Sequence, residues 1–234
     1  MQYGLTCDTV ASKVTLYERR GTTKPLGSPR SALEVAAVVA TGGLHFVFVN
    51  LFNARAAFIA LAIACWTAYI GARLWKDPGS PLLWGFSRRG LHETLIAATT
   101  VAILAAAIMA VIAHSEDALS LQWHMLPLVF LYPIWGLVQQ FLVQALVAAN
   151  LKRAGPVMSS TWIVTPICAL LFGLVHLPEL RLAAGTFLLG VVFTPIYLKW
   201  RNLWPLGIYH GLLGVLFYFW ILRRDPWLEV LWRP

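Results

Sequence analysis

Long uncharged apolar runs separated by short basic or mixed segments set the pattern of this 234-residue chain. No Asp, Glu, Lys or Arg occurs from Thr94 to Ala113, from Met125 to Ala149, or from Leu203 to Leu222. At about 1.5 Å per helical residue, each run is long enough to cross a hydrocarbon layer of about 30 Å. Ala56 to Ala72, Met158 to Val175 and Leu182 to Leu198 are also uncharged, at the short end of the spanning range. Ala32 to Leu51 adds a further candidate, with Glu34 near its start and His45 inside. Uncharged runs of this length without alternation predict helices, because lipid leaves backbone groups no partners but their own. The expected fold is all-α, a polytopic transmembrane helical bundle of about seven spans. Pro127, Pro133, Pro166, Pro195 and Pro205 are expected to kink or cap those helices.

The pattern divides the chain into a basic tail (1–31), three N-terminal transmembrane helices (32–113), a four-helix membrane core (124–222) and an interfacial C-terminal tail (223–234). The loop from Lys76 to Gly90 is punctuated by Pro and Gly, and Trp75 and Trp84 are expected at the membrane interface. No short apolar run ending at a small-residue cleavage site precedes residue 31, so insertion is expected to begin with the first span.

Composition strengthens the membrane reading: 59% of residues are hydrophobic and 12% are charged, about half the usual charged share of a soluble domain. The net charge of +8 does not point to nucleic acid, because the basic residues sit in the loops rather than along one stripe. Of the 18 Lys and Arg, thirteen fall on the N-terminal side of a seven-span layout and five on the other. That bias predicts a cytoplasmic N-terminus and an outer C-terminus, although Arg223 and Arg224 then lie outside; the expected location is an integral protein of a bacterial cytoplasmic membrane. Three cysteines, Cys7, Cys65 and Cys168, are too few for a disulfide framework.

Polar side chains inside apolar spans are costly and point to function. Gln139, Gln140 and Gln144 stand in the fourth span, with Gln140 and Gln144 one helical turn apart. Three glutamines alone read as interhelical hydrogen bonding. His176 closes the fifth span just before Pro178, and His210 lies inside the last. Two histidines in neighbouring uncharged spans, beside a glutamine cluster, predict one shared polar pocket. His45, His92, His114 and His124 are expected at interfaces or loop edges, and Glu93 at a helix start, where its charge suits the dipole. Glu179, three residues after His176, is a nearby carboxylate that would have to fold inward to join the site.

From about Leu126 to Phe219 these residues resemble the CPBP family, the CAAX-protease and bacteriocin-processing membrane peptidases. The family's Glu-Glu-x-x-x-Arg motif falls on Gln139, Gln140 and Gln144. Its Phe-x-x-x-His motif is matched by Phe172 and His176. Its His-x-x-x-Asn/Asp motif keeps His210 but has Gly214 in the last place. Gly185 to Gly190 is similar to the family's intervening helix. The resemblance implies an intramembrane endopeptidase acting on a membrane-embedded or lipid-linked protein or peptide within the bilayer. The implied site is His176 and His210 as reacting groups with Gln139 and Gln140 lining it, while Gln144 is structural.

The departures bear on catalysis. An amide has no titratable proton near neutral pH and cannot replace a glutamate as general base. Hydrolysis would then fall to a histidine with glutamine-positioned water, to an inward Glu179, or to a metal. No cofactor is expected, since zinc on both histidines would find no third good ligand. The competing reading is a non-catalytic member that binds a membrane partner as a chaperone, immunity factor or regulator. A solute transporter is disfavoured by the lack of a charged intramembrane pair and of an inverted repeat.

Overall fold

The computed structural model describes residues 29–231 except Asn53, and leaves undescribed the side chains at 49, 50, 55, 56, 230 and 231. Most of the basic tail, with Cys7, and the last residues, with Trp232, lie outside the described residues. Among those described, regular structure is entirely helical: α1 (Pro29–Phe46, continued by Val47–Leu51), α2 (Arg55–Lys76), the short α3 (Ser80–Trp84), α4 (Leu91–Ser115), α5 (Met125–Leu151), α6 (Thr161–Leu174), α7 (Leu180–Trp200), α8 (Trp204–Ile221) and the short α9 (Pro226–Leu231).

The apolar runs become these rods, with boundaries set by local chemistry. α1 is helical from the first described residue, Pro29, three residues before the expected span. Five helices, α2, α4, α5, α7 and α8, are long and apolar enough to cross a membrane. α6 is an apolar helix of only 14 residues, about 21 Å long, well short of a hydrocarbon layer. The expected span there began at Met158, but residues 152–159 are turns and a bend, and Ser160 is extended. α8 begins at Trp204, with Pro205 in its first turn.

The chain buries little of its apolar surface against itself. Side chains that a soluble helix would turn toward a core face outward here: Ile103, Leu104, Ile108 and Val111 of α4 are all exposed, as are Phe130 and Ile134 of α5. Such an outward face is stable only in lipid, and the protein is an integral membrane helical bundle. Trp75 and Trp162 stand almost fully exposed near helix ends, as interfacial anchors do. Trp84 does not join them, contrary to the expectation from its loop position. It is 5% exposed and packs edge-on against Phe141, with ring centroids 5.0 Å apart. The reason is that α3 packs against α5 and turns its indole into the core.

The tightest contact in the bundle is that of α5 with α8. A Cβ on Gly136 would fall on the Gly207 carbonyl, and one on Gly211 would fall on the Tyr132 carbonyl. Gly207-x-x-x-Gly211 therefore lets the two backbones touch, the small-residue mode of membrane helix packing. α6 and α7 form a second close pair, in which Gly190 lies against Ala169. The C-terminal segment is held rather than loose: Asp225 Oδ2 meets His124 Nδ1 at 2.5 Å, and Arg224 makes a two-pronged bond to Glu229 at 2.6 and 2.7 Å. That bond, in turn, holds Arg224 above the ordinary arginine range.

Candidate functional site

Gln139 and Gln140 sit where α5 changes pitch. From Phe141 to Ala148 the helix widens to π geometry, a feature often found at functional sites. Adjacent residues on a helix point about 100° apart, so the two amides part company. Gln139 turns to α8, where its Oε1 lies 2.6 Å from His210 Nε2. Gln140 turns inward and is fully buried; its Oε1 accepts from Gln144 Nε2 at 3.1 Å. Gln144 Nε2 also donates to Thr194 Oγ1 of α7 at 3.2 Å. Sequence reasoning missed Thr194, whose only signal was a hydroxyl in mid-span beside Pro195.

His210 is held by the α5–α8 contact. It precedes Gly211, and Gln139 follows Gly136 by three residues, so the close approach of the backbones brings imidazole and amide together. His176 lies in the turn after α6 and hydrogen bonds through Nδ1 to the Phe172 carbonyl at 2.7 Å. The Phe172 ring contacts both histidines, with its centroid 5.3 Å from that of His176 and 5.2 Å from that of His210. The imidazoles are thus at most the sum of those distances apart, and three segments distant in sequence meet at one place.

The partners fix the tautomers. A carbonyl only accepts, so His176 carries its hydrogen on Nδ1 and presents a basic Nε2. The Gln139 oxygen likewise leaves the hydrogen of His210 on Nε2 and the lone pair on Nδ1. His210 Nδ1 is buried without a hydrogen-bond partner, as are Gln140 Nε2 and Gln144 Oε1. An unpaired buried polar atom costs about 1–3 kcal/mol. An apolar groove of about 150 Å³ between α6 and α7 is lined by Leu170, Gly173, Leu174, Leu177, Ala183 and Phe187, Leu177 being the residue after His176.

Among the described residues, no hydrogen bond or ion pair given for a carboxylate reaches these imidazole and amide groups. Glu179, the acid nearest in sequence, lies 3.7 Å from Arg224 and precedes α7. Glu93 sits in the first turn of α4, and Glu34 at the far end of α1 contacts Tyr69, Arg73 and Asn150. Among the described residues no group of three or more His, Cys, Asp or Glu could hold a metal ion.

Residues 120–216 match a family model described as type II CAAX prenyl endopeptidase, Rce1-like. No curated protein and no solved structure matches the chain.

Proposed function

We propose, from the match of residues 120–216 to the Rce1-like type II CAAX prenyl endopeptidase model and the CPBP-like motifs within it, that the protein is an intramembrane endopeptidase whose reacting groups are His176 and His210. Its substrate in this reading is a membrane-embedded or lipid-linked protein or peptide. One observation carries it: Gln139 clamps His210 at 2.6 Å while both histidines contact the same Phe172 ring.

In this mechanism a water enters beside His210 Nδ1 or His176 Nε2 and gives its proton to that nitrogen as its oxygen attacks the peptide carbonyl carbon. When the carbon–nitrogen bond breaks, the imidazolium returns the proton to the leaving amine, and the products are a carboxylic acid and an amine. Gln139 takes no proton; it fixes the His210 tautomer, as a carboxylate would, without supplying charge. Gln140, Gln144 and Thr194 hold the wall of the site. The apolar groove lined by Leu174, Leu177 and Phe187 is suited to the aliphatic part of such a substrate.

A second reading rests on the amides themselves. With three glutamines where the family motif has two acids and an arginine, the same constellation would suit a non-catalytic member that binds a membrane partner. The test uses purified wild type, His176→Ala, Gln139→Glu and Gln140→Glu on membrane-peptide substrates, with and without chelator. Wild-type cleavage that His176→Ala abolishes supports the peptidase. A silent wild type that still captures its membrane partner supports the binding protein, and cleavage switched on by Gln139→Glu would place the loss in the missing acid alone.

A further inference from the structure

The end of the bundle that carries the basic loops holds a second polar constellation, built on other residues than the histidine site. Glu34 of α1 accepts from Tyr69 Oη at 2.5 Å, from Asn150 Nδ2 at 2.6 Å and from Arg73 Nη1 at 3.5 Å, and Arg30 Nε lies 3.9 Å away. Arg73 is 8% exposed. Its Nη2 donates to Ser80 Oγ at 3.2 Å, its guanidinium lies over the Trp84 ring at 5.6 Å, and its Nε is buried without a hydrogen-bond partner.

Two more guanidiniums join this network. Arg153 donates to Asn150 Oδ1 at 2.7 Å. Arg201 donates to the Leu83 carbonyl of α3 at 2.9 Å and lies 4.9 Å over the Tyr197 ring, whose hydroxyl donates to the Trp84 carbonyl. Glu34 and α3 thus tie Arg73, Arg153 and Arg201 together.

The charges at this junction do not balance. Glu34 is shared between Arg30 and Arg73, whereas the described hydrogen bonds of Arg153 and Arg201 end on neutral oxygens. Partial burial, then repulsion from Arg201, pushes Arg153 below the ordinary arginine range. Arg153 and Arg201, tied into one network through Asn150, Glu34 and α3 with no carboxylate of their own among the described hydrogen bonds, offer guanidinium forks that match the oxygens of an oxyanion. Their position at the ends of apolar spans, α5 ending at Leu151 and α7 at Trp200, is where lipid headgroups lie.

We propose that Arg153 and Arg201, backed by the buried Arg73, bind a phosphate-bearing anion, the headgroup of an anionic phospholipid, at the basic end of the bundle. The site does not depend on whether the histidine site hydrolyses peptides.

Native mass spectrometry of the full chain, released from mixed phosphatidylglycerol and phosphatidylcholine nanodiscs, tests it. Wild type should retain phosphatidylglycerol over phosphatidylcholine by about fivefold or more for each arginine engaged. Arg153→Gln/Arg201→Gln should lose that preference. Lys76→Gln/Arg88→Gln, which removes the same charge at exposed positions outside the network, should keep it. If the double variant does not fold, Arg153→Gln alone carries the comparison. Inorganic phosphate added to the detergent-purified protein identifies the source: displacement of retained phosphatidylglycerol means the anion itself suffices, and no displacement means the whole lipid is the ligand. Equal retention of both lipids by wild type, or a preference unchanged by the loss of Arg153 and Arg201 or lost equally in the control, overturns the proposal.

Discussion

Gln139 Oε1 and His210 Nε2 meet at 2.6 Å across the α5–α8 contact, the pair on which the proposed peptidase reading rests. Gln139→Glu keeps the acceptor and adds a negative charge that stabilises an imidazolium. It is expected to raise kcat/KM on membrane-peptide substrates by about 10²-fold or more over wild type, the usual scale of acid–base assistance. A cleavage assay with matched protein amounts checks this, and an unchanged rate would mean that the acid is not what the site lacks.

Gln140→Glu is expected to behave differently. Gln140 is fully buried, with its oxygen committed to Gln144, so a new carboxylate there is desolvated beside an amide that offers only a neutral donor. The cost is several kcal/mol, visible as a lower melting temperature and reduced yield. Gln139 and Gln140 are thus predicted to diverge although they are neighbours in sequence.

Thr194→Val removes the hydroxyl that receives Gln144 Nε2 while keeping its shape. The expected loss is about 1 kcal/mol, the scale of an interhelical hydrogen bond in a membrane. A modest drop in thermal stability with little change in partner or substrate binding is the predicted outcome. A large loss of binding instead would make Thr194 part of the recognition surface.

Gly211→Ala places a methyl on the Tyr132 carbonyl and must push α8 from α5, at about 1–3 kcal/mol or more. His210 moves with α8, so loss of the Gln139 contact should accompany the loss of stability. Gly43→Ala is the control, since a Cβ there meets nothing within 4 Å. Thermal melts of both variants, and any activity of the site, separate the two.

Asp225 both holds His124 and receives the backbone N–H groups of Trp227 and Leu228 at the start of α9. Asp225→Ala is expected to cost about 1 kcal/mol, as loss of a helix cap does. It should also release the C-terminal segment to limited proteolysis. Cleavage no faster than in wild type would show that the Arg224–Glu229 bond holds the segment by itself.

Hydropathy and the placement of charge made the membrane bundle, its helices and the segments bearing Gln139, Gln140, His176 and His210 legible in the sequence, because the rule that lipid imposes on buried backbone acts residue by residue. The same arithmetic overstated the run at Met158 to Val175, where turns shorten α6, and it set Trp84 at an interface that the packing of α3 removes. What the sequence left open was rotation. Inside a bilayer a leucine is as well placed against lipid as against another helix, so apolar periodicity does not say which face of a span turns inward. Only the tertiary contacts decided that Gln139 meets His210 while Gln140 meets Gln144. They alone brought Glu34, Arg73, Arg153 and Arg201 to one end of the bundle, where residues more than a hundred positions apart share one electrostatic field.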